Sequence, residues 1–111
     1  VRGPAAEVLV KVSNFGLARP LEKGAGRSRM TSDVGTLVWI APEILMRECY
    51  DAKVDVYSFG MVLYELACRQ PPFEDLDACS FEQAVSHGDR PDMEIVPGDC
   101  PEEIVTVMQA C

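Results

Sequence analysis

The reactive and ligating side chains of this chain are scattered, and few of them share a neighbourhood. Ser28, Thr31 and Ser32 are hydroxyls set among Arg19, Arg27 and Arg29. Unmodified, they belong to a solvated polar loop. With a phosphate attached, any of them would place nearly two negative charges beside guanidinium groups and order the loop through charge-assisted hydrogen bonds. Asn14 and Gly16 bracket Phe15, a pattern that suits a turn, because Asn and Gly both tolerate left-handed backbone. Cys49, Cys68, Cys79, Cys100 and Cys111 are odd in number, widely spaced and without a CxxC pair; reduced thiols are expected in preference to a disulfide or zinc site. The single His87 has no nearby ligand partner. Glu74, Asp75 and Asp77 follow a proline turn without the DxDxDG spacing of a calcium loop, which leaves a solvated acidic stretch. Trp39, Tyr57, Phe59 and Tyr64 could stack on nucleic-acid bases, but no basic companions alternate with them, and core packing is the expectation.

The elements that would position these groups can be read from the apolar pattern. Residues 8–12, Val-Leu-Val-Lys-Val, are mostly β-branched after a Gly3-Pro4 turn signal and predict a short buried strand, ended by Asn14-Phe15-Gly16. From Arg19 to Gly35 the composition is polar and glycine-bearing, which predicts a functional or disordered loop of about 15 residues. Pro42, with Glu43 in the first turn, starts a short helix to about Arg47. Asp51 is a plausible cap for a helix over Ala52 to Arg69, whose apolar residues fall on nearly every side. Such a helix must be a central core element, covered by several neighbours. Pro71-Pro72 stops it, and a weaker amphipathic helix is expected over Asp77 to Ser86, closed by Gly88. An irregular connection through Pro91, Pro97 and Gly98 leads to Pro101-Glu102-Glu103, a helix-start pattern. The spacing of Ile104, Val107, Met108 and Cys111 predicts an amphipathic last helix.

The 111 residues carry 18 acidic and 10 basic side chains and 48% apolar residues, enough for one hydrophobic core and not two. Their asymmetry is strong: residues 1–47 hold 7 basic and 4 acidic groups, net +3, and residues 48–111 hold 3 and 14, net −11. The acidic balance argues against nucleic acid or an anionic membrane as partner. No apolar run approaches the ~20 residues that span a bilayer. The sequence begins with Val1, shows no secretion signal and stops within a helical pattern, so it reads as an excised piece.

Four segments, in this order and spacing, resemble the C-terminal lobe of eukaryotic protein kinases. Val10-Lys11-Val12-Ser13-Asn14-Phe15-Gly16-Leu17-Ala18-Arg19 is similar to the strand and DFG segment of that family, and Ala41-Pro42-Glu43 to its APE motif. Between them, Gly35-Thr36 followed by Trp39 and Ile40 is similar to the substrate-positioning loop of serine/threonine kinases. Asp55-Val56-Tyr57-Ser58-Phe59-Gly60 resembles the start of the long hydrophobic helix of the lobe. This wording, with Arg90-Pro91 and Cys100-Pro101, looks most like the tyrosine-kinase-like group.

The resemblance implies a mainly α fold taken from an α+β parent: a partial kinase C-lobe over residues 1–111, with a short β strand before Asn14-Phe15-Gly16 and a central buried helix. It implies ATP and magnesium as cofactors of the intact parent, none for this piece alone, a protein substrate or partner, and a cytoplasmic location or the cytoplasmic side of a larger parent. Asn14 stands at the metal-holding carboxylate position, beside Phe15 and Gly16. Magnesium prefers carboxylate and water oxygens, so catalysis there is compromised. Gly35 and Thr36 would help seat a substrate hydroxyl, and Ser28, Thr31 and Ser32 lie where activating phosphorylation occurs. Ala41, Pro42, Glu43 and Asp55 would be structural. Glu43 would pair with an arginine beyond Cys111, and Asp55 would brace a catalytic loop ending before Val1. Without these partners, exposure or protonation would relieve both carboxylates. Two other readings follow from the residues themselves: a pseudokinase-type binding scaffold, from Asn14, and an incomplete gene product, from the all-round apolar helix.

Overall fold

The computed structural model describes residues 9–18 and 37–111. The hydroxyl-bearing loop with Ser28, Thr31 and Ser32, and the pair Gly35 and Thr36, lie outside these residues. Four helices make the frame: α1 (Pro42–Leu45), α2 (Lys53–Cys68), α3 (Ala78–Ser86) and α4 (Glu102–Ala110). Single 3-10 turns occupy Phe15–Leu17, Leu37–Trp39 and Met93–Ile95.

The helix ends follow from local chemistry. Pro42 opens α1 at a position where its missing N–H costs nothing. That helix is shorter than the pattern predicts, because Arg47 turns left-handed at φ 59°. Asp51 accepts from the Lys53 amide at 2.8 Å and so caps the first turn of α2. At its other end Arg69 turns left-handed at φ 58°, its amide returning to the Glu65 carbonyl, and Pro71-Pro72 prevents continuation. The Asp77 carboxylate accepts from the Ser80 amide at 2.8 Å, the expected cap of α3. That bond holds its pKa below the usual carboxylate range. Gly88, at φ 95°, closes α3 as its position suggests.

The strand predicted over residues 8–12 does not form among the described residues, which contain no strand at all. Leu9 is 76% exposed and Val12 83% exposed. A β-branched run becomes a strand only when a neighbour completes its backbone ladder; residues 9–12 have no such neighbour, so the apolar pattern goes unused.

The core is a three-layer stack. The stretch 37–45 lies between α2 and α3 and divides its side chains between them. Trp39, Ala41 and Ile44 pack with Val54, Tyr57 and Met61 of α2. Leu37, Val38, Ile40 and Leu45 pack with Phe81 and Val85 of α3. Phe73 contributes to both clusters. It does so at φ 57°, a conformation that costs an L-residue about 1–2 kcal/mol. The cost is offset by an edge-to-face contact with Phe81, ring centroids 5.3 Å apart at 67°.

On α2, Val54, Tyr57, Met61 and Tyr64 form one buried stripe. The opposite stripe is apolar too, as the sequence requires, yet Phe59 is 53% and Leu66 71% exposed. The described residues cover about half of the central helix. No helix of the described residues is long and apolar enough to cross a membrane. All five cysteines carry free thiols.

α4 crosses α2 at Gly60. A Cβ built there would lie 2.6 Å from Cys111 Cβ, too close to coexist, so glycine sets the approach of the two helices. Alanine would gain about 1 kcal/mol of helix propensity and lose about 1–3 kcal/mol to overpacking. Gly60→Ala is therefore expected to lower the unfolding midpoint, and Cys111→Gly in the same chain to restore it, measured as a double-mutant cycle by thermal or urea unfolding. A second expectation concerns Tyr64, whose hydroxyl donates to the Asp92 carbonyl at 3.0 Å. Burial, with the Cys68 thiol adding to it, pushes its phenol up to about 12. A raised pKa means that the stabilising contribution is complete below the unfolded value of about 10. It is lost as pH rises through about 12. Ultraviolet phenolate titration should show an ionisation step near pH 12, and Tyr64→Phe should remove that contribution.

Candidate functional site

The candidate site is the stretch from Leu37 to Glu43 where it lies along α2. Two polar side chains from the middle of that largely apolar helix hold it there. Ser58 Oγ is 2.7 Å from the Trp39 carbonyl oxygen and 3.0 Å from that of Val54, so its proton is shared between the stretch and its own helix. The Trp39 indole Nε1 donates to Glu65 Oε2 at 3.1 Å. Ser58 and Glu65 are seven residues apart, two helical turns, and so point to the same side. The backbone and the side chain of Trp39 are thereby held at separate points. A bond to a carboxylate is stronger than a neutral one, with a net worth of about 1.5–3 kcal/mol when well enclosed; this one is half-buried, which places it at the lower end.

Beyond Trp39 the chain passes through Ala41, fully buried, into Pro42 and Glu43, both half-buried. Ala41 packs in one cluster with Val54, Tyr57 and Met61. Glu43 sits at the mouth of a shallow recess with Tyr50, Asp51 and Lys53. The adjoining Tyr57 hydroxyl is buried and has no hydrogen-bond partner among the described residues. Burial raises its pKa, Arg90 opposes that shift and Glu43 adds to it. The Arg90 guanidinium carbon lies 5.3 Å from the Tyr57 ring centroid, a cation-π distance.

The other predicted site residues are placed differently. Asn14 adopts the left-handed conformation, φ 63° and ψ 61°, immediately before the Phe15–Leu17 turn, and its side chain makes no capping bond. This is the geometry for which Asn is suited. Asn14, Phe15 and Gly16 are exposed, and Phe15 does not join either core cluster. Asp55 is exposed on the first turn of α2, so its carboxylate keeps its water. The structure thus packs Ala41 against the buried α2 stripe, with Pro42 and Glu43 following it half-buried, and leaves Asn14, Phe15, Gly16 and Asp55 exposed. A lone amide oxygen on an exposed turn does not fit magnesium, and no group of three or more His, Cys, Asp or Glu side chains among the described residues could hold a metal ion.

Ser58 and Glu65 escaped the sequence reading. Their signal was present: two polar residues at a seven-residue interval on an apolar helix, with one indole N–H in the sequence needing an acceptor. His87 serves as the C-terminal cap of α3, its Nδ1 donating to the Gln83 carbonyl at 2.6 Å. Tyr57 and Tyr64 are core residues as expected, and Phe59 is not.

Trp39 is the sole tryptophan, so its fluorescence reports this site alone. Glu65→Ala should shift the emission to the red and cost about 1–2 kcal/mol in urea unfolding. Glu65→Gln, which keeps an acceptor oxygen, should lose less than half of that. Equal losses would show that the indole bond contributes nothing.

Residues 5–111 match the family described as protein tyrosine and serine/threonine kinase. The chain is 37% identical over 101 residues to a protein named as a probable LIM domain-containing serine/threonine-protein kinase of Dictyostelium discoideum, covering 91% of the chain and 10% of that protein. It is 39% identical over 106 residues to a mitogen-activated protein kinase kinase kinase 7-like protein of Drosophila melanogaster, covering 92% of the chain and 26% of that protein. The chain therefore spans about a quarter or less of the length of these relatives. An apolar helix that carries the Trp39–Glu43 stretch, the ordered segments from Asn14 to Gly60 and this match agree, and the chain belongs to the protein tyrosine and serine/threonine kinase family.

Proposed function

We propose that this chain is the activation segment and central helix of a serine/threonine-type kinase domain, whose intact parent transfers the γ-phosphoryl group of ATP to a protein hydroxyl. The observation that carries the reading is the attachment of the 37–43 stretch to α2 through Ser58 and Glu65. A loop that seats a substrate hydroxyl must be rigid, because a small misplacement of the reacting groups costs a large part of the rate. In this reading Gly35 and Thr36, which immediately precede the 37–43 stretch in the sequence, help to seat the substrate hydroxyl, and Ser28, Thr31 and Ser32 are the phosphorylatable hydroxyls of the basic part. The strand of residues 8–12 would pair with backbone of the parent. Glu43 and Asp55 would find their partners in the parent as well. The location would be cytoplasmic, or the cytoplasmic side of a larger parent.

The 111 residues contain no glycine-rich nucleotide loop, no VAIK lysine and no HRD aspartate. Phosphoryl transfer by this chain alone is not expected. ATP and magnesium would be held by other residues of the parent, since Asn14 offers no charge where the family supplies a carboxylate.

Asn14 also favours a second reading, in which the parent is a pseudokinase that keeps the fold as a binding and allosteric scaffold. One experiment separates the two. In the full-length parent, Asn14→Asp should raise magnesium-dependent phosphorylation of a protein substrate by about 10²–10³ if the remaining machinery is intact. No gain, together with an unchanged partner-binding profile, assigns the scaffold role. The isolated chain should show no transfer. Magnesium-dependent transfer by it, lost on Asn14→Ala, would overturn the proposal.

A further inference from the structure

We propose that the cleft between the C-terminal end of α2, the 70–76 loop, α3 and the connection 88–95 is a docking groove for a basic stretch of a protein partner. The stretch would carry a leucine-sized apolar side chain between lysines or arginines. This rests on the reading above only in taking a protein as the partner.

The cleft has a volume of about 350 Å³, at the lower end of ligand sites and suited to one large aliphatic side chain with its flanking backbone. Its walls are already fixed. Tyr64 is buried with its hydroxyl engaged by the Asp92 carbonyl, and Phe73 is held by the ring of Phe81. Leu76 and Ile95 border the opening at 39% and 43% exposure. These are apolar surfaces that a side chain inserted between them would cover.

Charge decides what kind of chain can enter. Glu74, Asp75, Asp89 and Asp92 line the cleft, against one cation, Arg90. Arg90 is already engaged: its Nη1 donates to the Gly88 carbonyl at 3.3 Å and the Asp89 carbonyl at 3.0 Å, and its guanidinium lies over Tyr57. The Asp92 carboxylate accepts from the Glu94 amide. Among the described residues the carboxylates of Glu74, Asp75 and Asp89 have no hydrogen-bond donor, so three negative charges face an apolar recess. They belong to a segment, residues 48–111, whose net charge is −11 in all. A nucleotide or an anionic lipid headgroup would be repelled, whereas a cationic peptide gains at both the apolar wall and the charged rim.

The test titrates the full chain with a fluorescein-labelled Lys-Arg-Leu-Arg-Lys peptide and follows anisotropy. This readout is independent of phosphoryl transfer, so an inactive parent leaves it unaffected. Three changes should each weaken binding: Asp75→Lys with Asp89→Lys by about tenfold or more, replacement of the peptide leucine by serine by about tenfold, and about 0.5 M salt by a similar factor. Both substituted residues are exposed, which leaves the core undisturbed; far-ultraviolet circular dichroism checks it. Amide shifts in NMR should centre on Leu76, Ala84 and Ile95. The proposal is overturned by absence of binding, by equal binding to the charge-reversed chain or to the serine peptide, or by shifts centred on Phe59 and Leu66.

Discussion

One hydroxyl and one carboxylate, two turns apart on a greasy helix, determine where the preceding stretch of chain must lie. Without Ser58 and Glu65, α2 would offer residues 37–43 only non-directional apolar contact, which fixes no register along the helix axis. With them, the Trp39 carbonyl and indole are each assigned a place, and everything downstream inherits it: buried Ala41, the proline-initiated α1 and the half-buried Glu43. The two clusters then form on either side of a stretch that is already registered. Polar groups that are few and fully used confer positional specificity that hydrophobic area alone does not.

α2 itself is made for more company than the described residues give it. Its buried stripe touches the 37–45 stretch and α4, while Phe59, Val62 and Leu66 remain in solvent. Exposed apolar side chains in such a row are unusual on a self-sufficient domain and normal on one cut through its core. The same logic explains the exposed Leu9, Val10 and Val12 and the water-facing Asp55. In each case the side-chain type fits an interior that the described residues do not build. The relatives, of which the chain covers 26% at most in the matches described above, have the length to supply it.

Much of this was legible in the sequence, because helix signals are local. The caps Asp51 and Asp77, the stop at Pro71-Pro72, the start at Pro42 and the closing Gly88 each act within a turn of their own position. The four ordered motifs were legible for the same reason: residue type and spacing carry them. Features that depend on distant partners were not. The strand over residues 8–12 needs a second strand, and an apolar run cannot say whether one exists. Phe59 looked like core because its helix is apolar all round, and no pattern distinguishes a covered stripe from an uncovered one. The role of Glu65 depended on an indole 26 positions away. The groove at Leu76 and Ile95 arises where three elements meet, which no local window contains.

Phe73 belongs to both clusters at once, against Met61 and its neighbours on one side and against Phe81 on the other. A single ring shared in this way ties the stability of α3 to that of α2: neither helix can move away without exposing a surface that the other also needs. Melting should therefore be one cooperative event across both layers instead of a peeling of α3 alone. The left-handed backbone that holds this ring acts as the fold's common keystone.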